Sequence, residues 1–180
     1  MTEEELGALG LPPPFWAFAW AGGQAVARYI LDHPCEVAGK QVLDFATGSG
    51  IVAIAAMQAG AARALAADID DFCAAAVTLN TTVNGVNVDY TAKNLLTADP
   101  PPVEVILAGD ICYEKPTAEA VLVWLRRAHE RGARVLIGDP GRSYFPKSGL
   151  VRLADYQVET TRELEDHAVK RTGVFTFAPD

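Results

Sequence analysis

The sequence has few of the features that mark a disulfide-stabilised, metal-binding or membrane protein. Its three cysteines are odd in number, widely spaced and without a Cys-x-x-Cys pair, so we expect reduced thiols in a cytoplasmic protein. Its three histidines lack the spacing of metal ligands, and we expect no bound metal. No apolar run approaches membrane-spanning length, and the segment Met1–Glu5 is acidic where a signal peptide is basic. The composition therefore predicts a cytoplasmic protein without a membrane partner.

Positive charge is scarce as well. The chain has 15 basic and 23 acidic residues, and its formal net charge of -8 at pH 7 argues against a nucleic-acid partner. The same charge suits a cationic substrate, such as a lysine on another protein. A length of 180 residues is enough for one domain with a full core and too short for two ordinary ones. We therefore expect one domain over residues 1–180, acting as a monomer.

Strand and helix patterns alternate along the chain, which predicts a mostly parallel sheet with helices on both faces. Five strands are predicted first: Gln41–Ala46, Arg63–Ala67, Val88–Ala92, Val103–Ala108 and Arg134–Gly138. The remaining chain predicts a short helix near Leu150–Ala154, then strands over Gln157–Arg162 and Thr172–Phe177 that pair as an antiparallel hairpin. The predicted fold class is α/β, with a Rossmann-like, seven-stranded, mostly parallel sheet and one antiparallel strand.

A glycine turn follows the first predicted strand. The apolar strand ends near Asp44, the turn runs from Gly48 to Gly50, and the second strand ends at Asp68. Glycines let a backbone approach a nucleoside closely, and a carboxylate at the next strand end binds ribose hydroxyls. The segment Gly48–Ala53 also satisfies the dinucleotide pattern G-x-G-x-x-G/A. However, Asp44 would repel a pyrophosphate and suits a ligand with an ammonium and a sulfonium, which favours S-adenosylmethionine.

More polar residues follow later strand ends, at the edge where such sheets bind ligands. Asn94 follows the third strand and either binds adenine or is a polar turn residue. After the fourth strand, Asp110 is placed to hold and orient an incoming ammonium. Tyr113 is placed to form a wall beside the methyl group and to stabilise a cationic nitrogen through its ring. The alternative for this pair is a helix N-terminal acid and a core tyrosine.

Four aromatic residues lie within Phe15–Trp20, and two glycines follow directly. We interpret this segment as a lid in which Trp20 closes the cofactor pocket and the glycines permit close backbone approach. The alternative is an aromatic cluster packed on the sheet. A second segment, Asp139–Arg142, is typical of a turn, and its arginine either has no further role or contacts an acid of the substrate.

These motifs resemble those of the seven-β-strand (class I) methyltransferases. The matching residues are the segment Val42–Gly50, the acid Asp68, and the D-x-x-Y motif Asp110–Tyr113. Within that group, the segments Trp20–Gln24 and Gly138–Arg142 resemble the electron-transfer-flavoprotein β-subunit lysine methyltransferases and their bacterial relatives. The similarity spans about Pro14 to Pro179. Two departures are Ala21, in place of an expected proline, and Ala46-Thr47, in place of Gly-Ser.

The resemblance implies an S-adenosylmethionine-dependent protein-lysine N-methyltransferase of one domain, with residues 1–36 as N-terminal lid and helix. It implies electron-transfer flavoprotein β subunit as the substrate, with a ribosomal protein as second candidate. The cofactor-binding residues it implies are Trp20, Asp44, Gly48, Gly50, Asp68 and Asn94, and the catalytic residues are Asp110 and Tyr113. Two other hypotheses remain, a nicotinamide-dinucleotide-binding oxidoreductase and a non-catalytic cofactor-binding module that regulates a partner.

Overall fold

The computed structural model describes residues 14–160 and 169–178, which form an α/β fold around one seven-stranded sheet. The strands are β1 (Gln41–Phe45), β2 (Arg63–Ala67), β3 (Asp89–Thr91), β4 (Val105–Gly109), β5 (Arg134–Asp139), β6 (Leu150–Glu159) and β7 (Val169–Phe177). Their order in the sheet is β3-β2-β1-β4-β5-β7-β6. The predicted fold class is confirmed.

The first five strands run parallel, and β7 pairs antiparallel with both β5 and β6. Among the described strands, β7 is therefore the one that runs against the others. The strand order reverses between β1 and β4, since β2 and β3 lie on one side of β1 and the later strands lie on the other. Ligands bind at such a reversal, outside the carboxyl ends of the strands.

Helices cover both faces of the sheet. They are α1 (Ala21–Asp32), α2 (Ile51–Gln58), α3 (Phe72–Asn84) and α4 (Lys115–Glu130), and short 3-10 turns lie at Phe15–Ala17, Pro34–Glu36 and Leu95–Thr97. One core cluster joins α1 and α2 to β4 and β5, and a second joins α4 to the opposite face of the same strands. Within the described range, no helix combines the length and apolarity needed to span a bilayer.

The central strands are buried on both faces. In β4, the four residues from Val105 to Ala108 have no exposed surface. A parallel strand between two helical layers carries a continuous apolar run because both of its faces pack against helices. This explains why apolar runs in the sequence predicted the central strands to within two residues at each end.

The predicted helix near Leu150–Ala154 is wrong, because these residues begin strand β6. Its backbone pairs with β7 from Leu150, opposite Phe177, to Glu159, opposite Val169, with a register shift between Arg152 and Ala154. This ladder of hydrogen bonds outweighs the helix propensity of leucine and alanine. The predicted antiparallel hairpin is confirmed, although the end of its first predicted strand lies outside the described residues.

Candidate active site

The acidic residues chosen from the sequence lie at the carboxyl ends of neighbouring strands. Asp44 is the fourth residue of β1, Asp68 directly follows β2, and Asp110 directly follows β4. Asp139, the last residue of β5, lies at the same edge. Because adjacent parallel strands end side by side, this edge gathers carboxylates from four parts of the chain.

Asp44 ties the glycine turn to the helix that follows it. Its Oδ2 accepts hydrogen bonds from the Thr47 hydroxyl at 2.5 Å and from the Ala53 backbone N–H at 2.9 Å. Burial raises the pKa of Asp44 to about 7, although both hydrogen bonds oppose the rise, and the negative charge of Asp68 adds to it. Asp44 is thus held rigidly where a positive charge would favour its ionised form.

The turn itself requires glycine. Gly48 and Gly50 have φ of 51° and 83°, in the left-handed region that other residues rarely adopt. A Cβ at Gly50 would also lie 3.1 Å from Cγ2 of Val77. The tight turn brings the backbone N–H of Gly48 to Oδ2 of Asp68, at 2.9 Å. Asp44, the turn and Asp68 therefore form one connected cluster, as the glycine motif predicts.

Asn94 is exposed and follows β3. Its Oδ1 accepts a hydrogen bond from the Leu96 backbone N–H at 3.0 Å and caps the 3-10 turn Leu95–Thr97. This bond is typical of a polar turn residue. A contact between Asn94 and adenine stays a prediction.

The segment Phe15–Trp20, which we call the aromatic lid, lies over the glycine turn. The carbonyl oxygen of Phe15 and the Cα of Trp16 are 3.8 and 3.9 Å from where a Cβ of Gly48 would be. The indole N–H of Trp20 donates to the Phe15 carbonyl oxygen at 2.8 Å, which fixes the fold of the lid. Trp20 is thus joined to the lid residue that lies over the glycine turn, and its closure of a cofactor pocket stays a prediction.

Rings of the lid contact both sides of the site. Trp16 stacks on Phe72, at the start of α3, with ring centroids 5.9 Å apart. Phe15 contacts the ring of Tyr113, just after β4, also at 5.9 Å. Tyr113 is 55% exposed, so it is a rim residue rather than a core tyrosine. The lid thus bridges the loops that follow β2 and β4.

Helix α1 begins in direct contact with two strand ends, and glycines make this contact possible. A Cβ at Gly138 would lie 2.1 Å from the carbonyl oxygen of Gly22, and one at Gly109 would lie 2.5 Å from the N atom of Gly23. No side chain fits in either place. The glycines after the lid therefore permit close approach to β4 and β5, and this contact places the first turn of α1 at the carboxyl edge.

Asp110 accepts hydrogen bonds on both carboxylate oxygens. Oδ2 accepts from the backbone N–H groups of Gly22 and Gly23 at 2.5 and 3.2 Å. Oδ1 accepts from Nε and Nη2 of Arg142 at 3.1 and 2.7 Å. Burial raises the pKa of Asp110, while Arg142 and the two backbone donors oppose the rise. A carboxylate has about four acceptor positions, and here all four have donors.

Asp110 is thus a helix N-terminal acid, but of α1 rather than of the helix that follows it. A negative charge at that terminus is favoured by the helix dipole and by the unpaired N–H groups. A lysine ammonium reaches this carboxylate only when one of the present donors leaves. The predicted contact between Asp110 and the substrate amine therefore needs a different arrangement of Arg142.

Arg142 connects three parts of the site. Its guanidinium binds Asp110, and its Cζ lies 5.7 Å from the centroid of the Trp20 ring. Its backbone N–H donates to Oδ1 of Asp139 at 2.7 Å. The sequence left open whether Arg142 contacts an acid of the substrate, and it did not place Asp139 among the site residues. The signal that could have found Asp139 is its position at the end of the fifth predicted strand.

Two cavities flank this edge. One, of about 630 Å³, lies between the lid and helices α1, α2 and α3. The other, of about 460 Å³, lies beside Asp139 and the β6–β7 hairpin. Neither is lined by Asp44, Asp68 or Asp110, and the aromatic lid lies over the glycine turn between them. The three acids therefore share an edge of the sheet, and neither of these two cavities contains them.

The charges at the glycine turn fit a cationic nucleoside. The Asp44 and Asp68 carboxylates are close enough to interact unfavourably, and a sulfonium or ammonium between them would relieve that repulsion. A pyrophosphate would instead add two negative charges beside a buried acid. The residues present therefore fit S-adenosylmethionine better than a dinucleotide.

Known proteins with similar sequences are methyltransferases. A lysine methyltransferase of electron transfer flavoprotein beta subunit from Mus musculus is 39% identical over 172 residues, which covers 92% of this chain and 68% of the mouse protein. The human protein of the same name is 38% identical, and the aligned region covers 92% of this chain and 66% of the human protein. The ribosomal protein L11 methyltransferase of Exiguobacterium sibiricum is 29% identical, over 79% of this chain and 44% of that protein.

The profile of a family described as Ribosomal protein L11 methyltransferase (PrmA) matches residues 29–112. Among solved structures, the L11 methylase of Lactobacillus delbrueckii subsp. bulgaricus superimposes with a TM-score of 0.61 at 19% identity, over 90% of this chain and 81% of that one. Magnesium protoporphyrin IX methyltransferase from Synechocystis, with bound S-adenosylmethionine, also superimposes with a TM-score of 0.61. Its identity is 16%, over 87% of this chain and 79% of that one. These two superpositions establish the fold.

Proposed function

We propose that this chain, which belongs to the electron transfer flavoprotein beta subunit lysine methyltransferase family, methylates lysine side chains of that flavoprotein subunit. The chain is a methyltransferase, and its cofactor is S-adenosylmethionine. The identity of 39% over 92% of the chain is the observation that carries the proposal. The oxidoreductase hypothesis rested on glycine spacing, and neither the family nor the charge of Asp44 favours it.

We propose that the glycine-turn cluster and the lid hold the cofactor. Asp44 and the Gly48–Gly50 turn hold its methionine end, Asp68 binds the ribose, and Asn94 lies on the adenine side. Trp20, fixed by its bond to the Phe15 carbonyl oxygen, closes the pocket. Because the lid covers the glycine turn, it must move for a nucleoside to enter.

The amine must arrive neutral and aligned. S-adenosylmethionine supplies a methyl group activated by a sulfonium, which a neutral amine accepts by in-line displacement. A lysine near its reference pKa of about 10.4 is mostly charged at neutral pH, and its neutral form costs roughly 4 kcal/mol. The protein therefore has to orient the amine and exclude water around it.

We assign Asp110 a positioning role in the closed arrangement. Its carboxylate holds the first turn of α1, and through Arg142 it holds the lid and the turn after β5. Tyr113 lies at the rim beside Phe15, where its ring face is available to a cationic nitrogen. Catalysis by Asp110 itself requires that Arg142 move away from it.

The domain organisation, oligomeric state and compartment expected from the sequence are part of the proposal. Residues 1–180 act as one methyltransferase domain and as a monomer in the cytoplasm, and residues 1–36 supply lid and first helix. The described part of that segment, from residue 14, contains the aromatic lid and α1. Gel filtration and cell fractionation check the oligomeric state and the compartment.

The test uses purified proteins. The chain is incubated with S-adenosylmethionine and purified electron transfer flavoprotein beta subunit, and tandem mass spectrometry locates added methyl groups. We expect methylated lysine in that subunit. Asp44→Asn is the matched variant, and we expect it to weaken cofactor binding measured by calorimetry.

Two parallel reactions separate the alternatives. Ribosomal protein L11 as substrate tests the second candidate, which the family profile at residues 29–112 supports. Calorimetry with NAD in place of the methyl donor tests the oxidoreductase hypothesis. A protein that binds S-adenosylmethionine but methylates neither substrate would contradict the proposal and favour a regulatory module.

A further inference from the structure

The segment Asp68–Asp70, which we call the acid turn, is held by the neighbouring strand β3. The backbone N–H of Asp68 donates to the Thr91 carbonyl oxygen at 3.2 Å, next to the β2–β3 ladder. The hydroxyl of Tyr90 lies 3.1 Å from the carbonyl oxygens of both Asp68 and Asp70. One O–H proton shared between two acceptors bridges the turn. A side chain of β3 thus fixes the backbone that carries the acid at the end of β2.

The acid turn also sets the direction of the Asp68 carboxylate. Its Oδ1 accepts the backbone N–H of Asp70 at 3.1 Å, as in an Asx turn, and its Oδ2 accepts the backbone N–H of Gly48 at 2.9 Å. The residue is half-buried, and a carboxylate has about four acceptor positions. The two backbone donors therefore orient Asp68 and leave acceptor capacity for the ribose hydroxyls that the proposed function assigns to it.

The Tyr90 side chain is itself fixed and keeps its proton. Its ring packs against a small core cluster of three alanines and Val77 of α3. Burial raises the pKa of Tyr90 to about 12, and Cys73 and the acids that follow β2 add to the rise. The hydroxyl therefore remains a hydrogen-bond donor throughout the neutral pH range.

The far end of the acid turn has supports of its own. Oδ1 of Asp70 accepts the backbone N–H of Phe72 at 2.9 Å, and the Asp70 carbonyl oxygen accepts that of Cys73 at 3.1 Å. These bonds anchor the start of α3, where Phe72 stacks on Trp16 of the aromatic lid. Because neither bond involves Tyr90, loss of its hydroxyl should loosen the Asp68 end of the turn and leave the lid contact in place.

We propose that Tyr90 is a positioning residue for the cofactor, and that its hydroxyl holds the acid turn in the conformation in which the Asp68 carboxylate binds the ribose hydroxyls. The inference rests on the proposed function, which assigns the ribose to Asp68. Tyr90 acts through the backbone of the acid turn rather than by contact with the cofactor. Loss of its hydroxyl should therefore weaken the hydrogen bonds to the ribose and leave the rest of the cofactor's affinity unchanged.

The test compares two ligands that differ in the ribose alone. S-adenosylhomocysteine, the cofactor without its transferable methyl group, has both ribose hydroxyls, and its dideoxy analogue has neither. Calorimetry measures the dissociation constant of each ligand, and their ratio measures how strongly the protein recognises the hydroxyls. For the wild-type protein we expect the dideoxy analogue to bind about 100-fold more weakly, because hydrogen bonds to a charged acceptor are lost.

Tyr90→Phe keeps the packed ring and removes the hydroxyl. We expect this variant to bind S-adenosylhomocysteine about tenfold more weakly than the wild type, and the dideoxy analogue within about twofold of it. Tyr156→Phe is the matched control. The Tyr156 hydroxyl donates to Oδ2 of Asp32 at 3.3 Å, and its strand β6 lies at the opposite edge of the sheet from β3. Its removal should change neither dissociation constant.

A rescue experiment separates the donor from the shape of the ring. Para-aminophenylalanine, placed at position 90 by stop-codon suppression, carries N–H donors on the ring carbon that bears the hydroxyl in tyrosine. We expect it to restore the wild-type ratio between the two ligands. A folded protein with this residue that recognises the hydroxyls no better than Tyr90→Phe does would overturn the proposal. If Tyr90→Phe does not fold, the comparison of this protein with the wild type decides the question.

Equal weakening of both ligands in Tyr90→Phe, or no weakening of either, would overturn the positioning role, because a tyrosine that only fills the core does not distinguish the two. A wild-type protein that binds both ligands equally would overturn it as well. The proposed function is judged separately, by methylation of the flavoprotein subunit. Binding that follows the expected pattern without methylation would support the role of Tyr90 while the proposed function fails.

Discussion

The ion pair between Asp110 and Arg142 gives a quantitative prediction about the closed site. Both side chains are largely buried, with 10% and 19% of their surfaces exposed, and their closest atoms are 2.7 Å apart. Removal of one partner from such a pair leaves the other charge buried and typically costs about 3–5 kcal/mol. The free energy of unfolding of a domain is about 5–15 kcal/mol, so Asp110→Asn should cause a large loss of stability.

A double-mutant cycle separates the pair from the single residues. Asparagine is the right replacement at position 110, because φ there is 55° and asparagine tolerates this left-handed conformation better than alanine does. Arg142→Met removes the guanidinium and keeps the length of the side chain. We expect the double variant to lose less stability than the sum of the single losses, with a coupling of about 2 kcal/mol or more.

Urea unfolding of the four proteins measures this coupling, and an exposed pair provides the control. Arg171 and Asp155 are 3.0 Å apart, but 72% of the arginine side chain is exposed, so Asp155→Asn with Arg171→Met should give a coupling below about 1 kcal/mol. Losses at Asp110 and Arg142 that add within about 0.5 kcal/mol would show that the two side chains do not stabilise each other. The result also shows how much of any lost activity in Asp110 variants comes from a loosened site.

Three further predictions concern the same edge. Gly138→Ala should lower the free energy of unfolding in urea by about 1–3 kcal/mol, because its Cβ would lie 2.1 Å from the Gly22 carbonyl oxygen. An unchanged urea midpoint would contradict this close contact. Asp44 has a pKa of about 7, raised from 3.8, so the stability it contributes is present below about pH 4 and lost as the pH rises to about 7. Asp44→Asn should flatten that part of the pH–stability curve, and an equal slope in both proteins would contradict it. Trp20→Phe removes the N–H that donates to the Phe15 carbonyl oxygen, and should loosen the lid and weaken cofactor binding in calorimetry, whereas unchanged affinity would exclude Trp20 from the lid's closure.

Local sequence patterns could predict the central fold. The predicted strand Arg63–Ala67 is the observed β2, because a buried parallel strand needs an unbroken apolar run between turn residues. Leu150–Ala154 could not be predicted in the same way. Its strand conformation depends on pairing with β7, from Ala154 opposite Val174 to Leu150 opposite Phe177, which are 20 to 27 residues away in the chain. The local preference of its leucine and alanine residues is for helix.

In the candidate site, too, the features set by a local motif could be predicted and those set by distant contacts could not. The turn between Gly48 and Gly50 follows from a local motif, and the structure joins it to Asp68 through the backbone N–H of Gly48. The partners of Asp110 could not be predicted, since Gly22 and Arg142 lie 88 and 32 residues away in sequence. That the buried Oδ2 of Asp139 has no hydrogen-bond partner within the described part of the chain also depends on tertiary packing, which a turn motif does not encode.

Lysine methylation of the flavoprotein subunit is tested most directly by a search for the acceptor without prior choice of substrate. An extract of cells that lack the protein is incubated with the purified chain and S-adenosylmethionine carrying a deuterated methyl group, and tandem mass spectrometry identifies the labelled residues. We predict deuterated methyl groups on lysine nitrogens of the electron transfer flavoprotein beta subunit. Label confined to other kinds of residue, to small molecules or to nucleic acid would contradict it.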